Sequence, residues 1–170
     1  MFEAVAEDLP TTGIHHDRTA SLLSIIHEND NPYVTLMPGV GLQLLQVDLL
    51  NGFYVVRVRF APGVTLPIHQ HVGPVLALTE KGAWRYLEHE GINRPGTYLH
   101  EPAGSIHTLH VLADNKEDTV AWFAVYGANL YLNEKLQVES VQDALYILEL
   151  YFELCEAAGY PKPYIIGYSG

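Results

Sequence analysis

The stretch Gly63-Val-Thr-Leu-Pro-Ile-His69-Gln-His71-Val-Gly-Pro-Val75-Leu-Ala-Leu-Thr-Glu-Lys-Gly82, followed by Gly96-Thr-Tyr-Leu-His-Glu-Pro102-Ala-Gly104-Ser-Ile-His107-Thr-Leu-His-Val111, decides the fold. Residues two apart in a strand point to one face, so His69 and His71 present both imidazoles to the same side, and Val75 shares their parity. His107 follows Pro102-Ala-Gly104, a turn-forming cluster that swings the chain back to bring a third imidazole to the first two. A lone histidine in an apolar strand is ordinarily a hydrogen-bonded core residue. Three at this spacing, framed by Gly63, Gly82, Gly96, Pro102 and Gly104, read better as a metal-binding cluster. His15, His16, His27, His89, His100 and His110 lack that frame and are expected on the surface or around the cluster.

Outward from this core the chain reads as β-rich. Its 170 residues suit one domain, and 48% hydrophobic content with 11 tyrosines is enough for a substantial core. Asn51-Gly52 supplies the positive backbone angles of a tight turn, which predicts a hairpin from Leu42–Asp48 to Phe53–Phe60. Further strands are expected at Val75–Thr79, Ala83–Glu88, Thr97–His100, His107–Leu112 and Thr119–Tyr126, with Gly, Pro and Asn between them. Near the end the period changes. Val141, Ala144, Leu145, Leu148, Phe152 and Cys155 recur every three or four residues, which predicts a helix packed outside the sheets, with Ser140 and Asp143 as a capping pair and Gly159 with Pro161 as the stop.

Nine Lys plus Arg against 20 Asp plus Glu leave a net charge of −11, which argues against nucleic acid and anionic membranes as partners. Met1–Thr12 carries Glu3, Glu7 and Asp8 without a basic start or apolar core, so it does not read as a targeting segment. Cys155 stands alone and excludes an internal disulfide. A cytoplasmic protein is the expectation.

The two quoted halves resemble the paired motifs of the cupin superfamily. That resemblance implies an all-β, single-domain cupin, a double-stranded β-helix or jelly-roll barrel with a C-terminal α-helix. Residues 1–40 would form an N-terminal extension and first strands, 41–127 the barrel, and 139–158 the helix. It also implies His69, His71 and His107 as ligands of a divalent metal. The chain departs from the pattern at Val75, where the family carries a glutamate ligand, and at Val111, where it carries an asparagine. On ligand type alone zinc and iron are near even.

Within the cupins, the HxH pair followed by a non-acidic residue, together with the run Gly96 to His107, resembles the 2,4'-dihydroxyacetophenone dioxygenases. What this implies is a non-haem Fe(II) centre, with Zn as the alternative, that binds an aryl hydroxymethyl ketone and O2 and yields 4-hydroxybenzoate and formate. Three uncharged imidazoles would leave the ion its full charge and favour an anionic ligand beside Val75. Glu101 is the first candidate proton acceptor, expected at the barrel mouth just before Pro102, with Glu88 in reserve. Trp84, Tyr86 and Tyr98, or Trp122 and Tyr126, are candidates for an aromatic substrate wall, although aromatic residues at that period more often build the core.

Two other classes stay open. One is a three-histidine cupin dioxygenase acting on a β-diketone or a thiol, the thiol acid needing a basic clamp from Arg57, Arg59 or Arg85. The other is a non-catalytic metal-binding sensor cupin such as the domain that closes an anti-sigma factor. Pairing through outer strands into a homodimer or homotetramer is expected of such barrels.

Overall fold

A computed structural model describes residues 23–168. Met1–Thr12, His15 and His16 lie outside the described residues. The chain order is β1 (Val34–Met37), β2 (Val40–Asp48), β3 (Phe53–Phe60), β4 (His69–His71), β5 (Val75–Lys81), β6 (Trp84–Tyr86), β7 (Tyr98–Glu101), β8 (Ile106–His107), β9 (Leu109–Val111), β10 (Thr119–Tyr126), β11 (Asn129–Leu132), β12 (Val138–Gln142) and α1 (Ala144–Ala157). A six-stranded sheet runs β1-β2-β3-β10-β5-β7, a four-stranded sheet β12-β11-β4-β8, and β6 pairs with β9. Every strand pairing is antiparallel. The result is the all-β, cupin-like architecture with one C-terminal helix that the two histidine-bearing stretches predict.

The hairpin forms where Asn51-Gly52 places it. Gly52 has φ +60°, and the Asp48 carboxylate accepts from the Asn51 backbone and side-chain amides at 3.1 and 2.6 Å. β3 then pairs along its whole length with β10, from Phe60 opposite Thr119 to Phe53 opposite Tyr126. Inward side chains of β2, β3, β5 and β10 join Trp84, Tyr86, Leu109 and Val111 in one apolar core, where each fully buried Val, Leu or Phe contributes roughly 1.5–3 kcal/mol.

One row crosses the large sheet and organises the site. Val47, Tyr54, Val125, Val75 and Glu101 stand opposite one another on successive strands, and all five are buried. Four of them are hydrophobic or aromatic. The fifth is a carboxylate, and it ends the row at the histidines.

Several boundaries differ from expectation. The stretch 107–112 is split into β8 and β9 at Thr108, and β11 and β12 add a hairpin that alternation does not reveal because β12 (Val-Glu-Ser-Val-Gln) is solvated on most of its length. The helix begins later than predicted. Asp143 itself is the N-cap and accepts from the Tyr146 amide at 2.9 Å, while Ser140 lies in β12. Its buried stripe is Ala144, Ile147, Leu148, Tyr151 and Cys155, so Leu145 and Val141 face solvent. The stripe packs on β1 and β2, and the Tyr151 hydroxyl donates to the Pro32 carbonyl at 2.7 Å.

Arg57 and Arg59 are occupied outside the barrel, Arg57 by Glu80 at 2.9 Å and Arg59 by Asp118 at 3.6 Å, with Arg59 also over the Tyr33 ring. Arg85 alternates with the buried Trp84 and Tyr86 and so takes the opposite face of β6. None of the three supplies the clamp that a thiol acid would need. No helix among the described residues is long and apolar enough to cross a membrane.

The β4–β5 turn depends on Gly73, where an added Cβ would lie 2.3 Å from the Tyr126 carbonyl oxygen. Backbone on both sides leaves no flexible group to yield. Gly73→Ala is expected to lower unfolding free energy by more than about 2 kcal/mol. Urea titration measures this, and a change within about 0.5 kcal/mol would contradict the packing.

Candidate metal centre

Three buried imidazoles meet inside the barrel. His69 and His71 extend from β4 and His107 from β8, with His69 directly opposite His107 in register. One nitrogen of each lies within 4.8 Å of those of the other two. Ring centroids are 4.8 to 5.0 Å apart, and the rings are turned 54° to 86° from one another, so nitrogens rather than faces converge.

A carboxylate lies against two of them, and it arrives from an unexpected strand. Glu101 Oε2 lies 2.9 Å from His71 Nε2 and 3.2 Å from His107 Nε2. These distances put one carboxylate oxygen beside two of the three imidazoles, where it could share a cation with them. A proton on one of these imidazoles, or a cation shared between them, would satisfy Glu101 Oε2 and His107 Nε2, which are buried and otherwise unpaired.

The orienting contacts have the same sense. His69 Nδ1 lies 2.9 Å from the Pro67 carbonyl, which makes Nδ1 the protonated nitrogen and leaves Nε2 free to ligate. The Tyr86 hydroxyl donates to Glu101 Oε1 at 2.5 Å, and the Tyr86 ring stacks on His107 at 3.7 Å. Tyr86 therefore holds both the carboxylate and an imidazole. Burial, the Glu101 charge and the Glu101 hydrogen bond all raise the Tyr86 phenol, so it remains a donor.

These neighbours settle the charge states. Burial pushes the His69 imidazole down; the Pro67 contact opposes it, His71 and His107 add to it, and the outcome is about 4. For Glu101 burial acts upward, but contact with His107 and His71, the His71 charge and the Tyr86 hydrogen bond outweigh it and hold the carboxyl at about 2. The centre is therefore the three expected histidines with an ionised carboxylate against two of them, a nearby charge that valine at position 75 did not lead one to expect. A carboxylate held so low is also a poor proton acceptor near neutrality, which counts against the base role assigned to Glu101.

The other candidates separate. Val75 is fully buried opposite Glu101, on the sheet row that leads to the cluster. Glu88 accepts from the Thr108 amide at 2.9 Å on an exposed stretch and does not join the cluster. Trp84 is core: its Nε1 donates to Thr79 Oγ1 at 2.9 Å and its ring meets Tyr86 and Phe123. Tyr98 is 65% exposed, and Tyr126 is 42% exposed with its ring against Phe53, so neither lines the interior. Trp122 alternates with Ala121 and Phe123, whose side chains are buried, and takes the other face of β10.

Tyr86 sits where two cavities meet the cluster. An inner cavity of about 90 Å³ lies within the barrel and includes His69, His71, Tyr54, Tyr86, Phe123 and Asn129 in its wall. A more open cleft of about 430 Å³ is bordered by Tyr86, His89, Ile92, Leu99, Glu101 and His107. Tyr54 and Asn129 escaped the sequence reading, since an inward tyrosine in a core strand carries no motif.

Residues 23–128 match the ChrR cupin-like domain. The chain belongs to that cupin family. Among solved structures it is similar to a cupin-like protein of unknown function from Ralstonia eutropha JMP134, with 29% identity over 92% of this chain and 98% of that one and a TM-score of 0.81. It is also similar to an RmlC-like cupin from the same organism, at 25% identity over 86% and 95%, TM-score 0.79. An acetylacetone dioxygenase from Acinetobacter johnsonii shares the fold, at 15% identity over 83% and 97%, TM-score 0.69. No curated protein matches.

Glu101→Gln keeps the shape and removes the charge; it is expected to weaken divalent-metal affinity roughly 10–100-fold, measured by competition with a chelating dye. A change below threefold would contradict a metal-facing carboxylate. Unfolding returns His69 to its ordinary value of 6.5 and Glu101 to 4.5, so on acidification the unfolded chain takes up each proton first. Metal-free protein should accordingly lose thermal stability as pH falls from 6.5 towards 4, and again from 4.5 towards 2. A melting temperature unchanged between pH 7 and 4 would contradict the buried, neutral His69.

Proposed function

We propose that this protein is a non-haem Fe(II) dioxygenase that cleaves a carbon–carbon bond of a hydroxymethyl ketone, with His69, His71, His107 and Glu101 holding the ion. The observation that carries the reading is the convergence of three buried imidazoles and a buried carboxylate, three of whose atoms have no hydrogen-bond partner, at the junction of two cavities. When bound, a ferrous ion would supply Lewis acidity towards the ketone and redox contact with O2. The fold shared with an acetylacetone dioxygenase is consistent with such chemistry.

The protein's own residues divide the remaining work. Pro67 fixes the His69 tautomer, His107 and His71 keep the Glu101 carboxylate ionised, and Tyr86 holds it in place. Val56, Val58, Phe60, Leu109 and Phe123 keep bulk water from the inner side of the cluster. Size sets the orientation of the substrate. An apolar cavity of about 150 Å³ accepts benzene, so the inner cavity of about 90 Å³ takes a short group but not an aromatic ring. The outer cleft, about 430 Å³, is within the usual range for small-molecule sites and has room for an aryl group beside Tyr86, Ile92 and Leu99. An aryl hydroxymethyl ketone such as 2,4'-dihydroxyacetophenone would lie with its ring in the cleft and its short end inward.

A β-diketone is the second reading, favoured by the likeness to the acetylacetone dioxygenase fold. Oxygen uptake separates the possibilities. Protein reconstituted anaerobically with Fe(II) and then exposed to air is expected to consume O2 with 2,4'-dihydroxyacetophenone, more slowly with pentane-2,4-dione, and not with cysteine. The Zn(II) form should consume none. Uptake with the diketone alone would move the assignment to the second reading, and no uptake with any of the three would favour a metal-binding sensor.

A further inference from the structure

Inside the barrel one side chain is hard to explain by packing. Tyr54 on β3 is 1% exposed, and its hydroxyl has no hydrogen-bond partner. It lines the inner cavity with His69 and His71, among walls that are otherwise mostly Val, Leu and Phe. Leaving a buried hydroxyl unpaired costs about 1–3 kcal/mol, whereas phenylalanine would fill almost the same space without that loss. The buried Asn129 Oδ1, on the same cavity wall, also lacks a partner, as does His71 Nδ1. His71 and Asn129 are register partners across β4 and β11, so the two orphaned groups belong to one end of the cavity.

The chemistry of these atoms selects what can fill the space. Burial raises the Tyr54 phenol, so its oxygen carries a hydrogen to donate. Asn129 Oδ1 can only accept. A group that accepts from Tyr54 and donates to Asn129 satisfies both, as the hydroxyl of a ligand would. At about 90 Å³ the cavity admits a hydroxymethyl group.

We propose that Tyr54 and Asn129 form a hydroxyl-recognition subsite that determines specificity for ketones with a terminal hydroxymethyl group over those ending in an alkyl or alkoxy group. This rests on the dioxygenase reading and assigns recognition of its substrate's hydroxyl to two residues. The hydroxyl oxygen accepts from Tyr54, its hydrogen goes to Asn129, and the carbonyl is left facing the histidine cluster. A substrate lacking that hydrogen leaves Asn129 Oδ1 buried and unpaired, one lacking the oxygen as well leaves Tyr54 unpaired too, and a site that requires a hydrogen bond rejects such an analogue strongly.

The test compares 2-hydroxyacetophenone with 2-methoxyacetophenone by anaerobic calorimetric titration of the Fe(II)-loaded full chain. Both probes carry an oxygen next to the carbonyl, but only the first can donate. Wild type is expected to bind the hydroxy probe at least tenfold more tightly. Asn129→Leu should reduce that preference about fivefold or more, Tyr54→Phe should weaken both probes about fivefold or more, and metal-free Tyr54→Phe should melt at the same or a higher temperature. If both probes bind and Asn129→Leu keeps the wild-type preference while Tyr54→Phe keeps the wild-type affinities, the subsite is overturned while the dioxygenase reading stands. A lower melting temperature for Tyr54→Phe with unchanged affinity for both probes would assign the hydroxyl to an ordered structural water and also overturn it. If neither probe binds wild type, the hydroxymethyl-ketone reading fails and the subsite fails with it.

Discussion

The fold is arranged around a carboxylate that cannot be left alone. Glu101 is 3% exposed at the end of an otherwise apolar row, and an isolated ionised carboxylate in such a place would be neutralised by taking up a proton. Its position against two imidazole nitrogens keeps the charge, because a cation can be shared there, either as protons on histidine or as a metal ion. The same constraint explains the contacts around it. Tyr86 satisfies the second carboxylate oxygen, and its ring fixes His107, while the Pro67 carbonyl decides which His69 nitrogen faces inward. Each of these residues fixes an orientation that the cluster would otherwise be free to lose.

Burial at the centre also bears on chemistry. In a low-dielectric interior, charges act strongly and unpaired polar atoms are expensive, so an oriented cluster can discriminate ligands by hydrogen bonding as well as by shape. The inner cavity combines apolar walls with unpaired Tyr54 and Asn129 atoms, which suits a ligand that is small and partly polar. The outer cleft borders the other side of the cluster and meets the inner cavity at Tyr86. A single tyrosine thus touches the carboxylate, a histidine and both spaces, and its position limits how a bound molecule can turn.

Much of this was legible in the order of residues, for definite physical reasons. The histidine trio follows from two rules, strand alternation for His69 and His71 and a turn-forming Pro-Ala-Gly before His107. The hairpin at Asn51-Gly52 follows from the backbone angles that glycine permits. The aromatic wall did not follow, because alternation places Trp84 and Tyr86 on one face of β6 without saying that only Tyr86 reaches the cluster, and Tyr98 and Tyr126 turn outward. The helix stripe was displaced for a similar reason: Asp143 caps the first turn directly, so the face begins at Ala144 and continues through Ile147 and Tyr151.

Glu101 shows most clearly why a motif read by position can mislead. Ending β7 at His100 leaves the next residue in a solvated turn; carrying the strand one residue further gives Glu101 the inward parity of Leu99. There it stands directly opposite Val75, the place where the cupin pattern expects a carboxylate. Side chains paired across neighbouring strands have Cβ atoms about 4.5–5.5 Å apart, within the reach of a glutamate side chain. Either strand can therefore deliver a negative charge to nearly the same point inside the barrel. Valine at 75 then follows as a packing consequence, since a second carboxylate beside Glu101 would be a like charge in a buried row, whereas an apolar side chain fills the space without repulsion. The charge of such a centre has to be counted in space, across the sheet, and not along the chain.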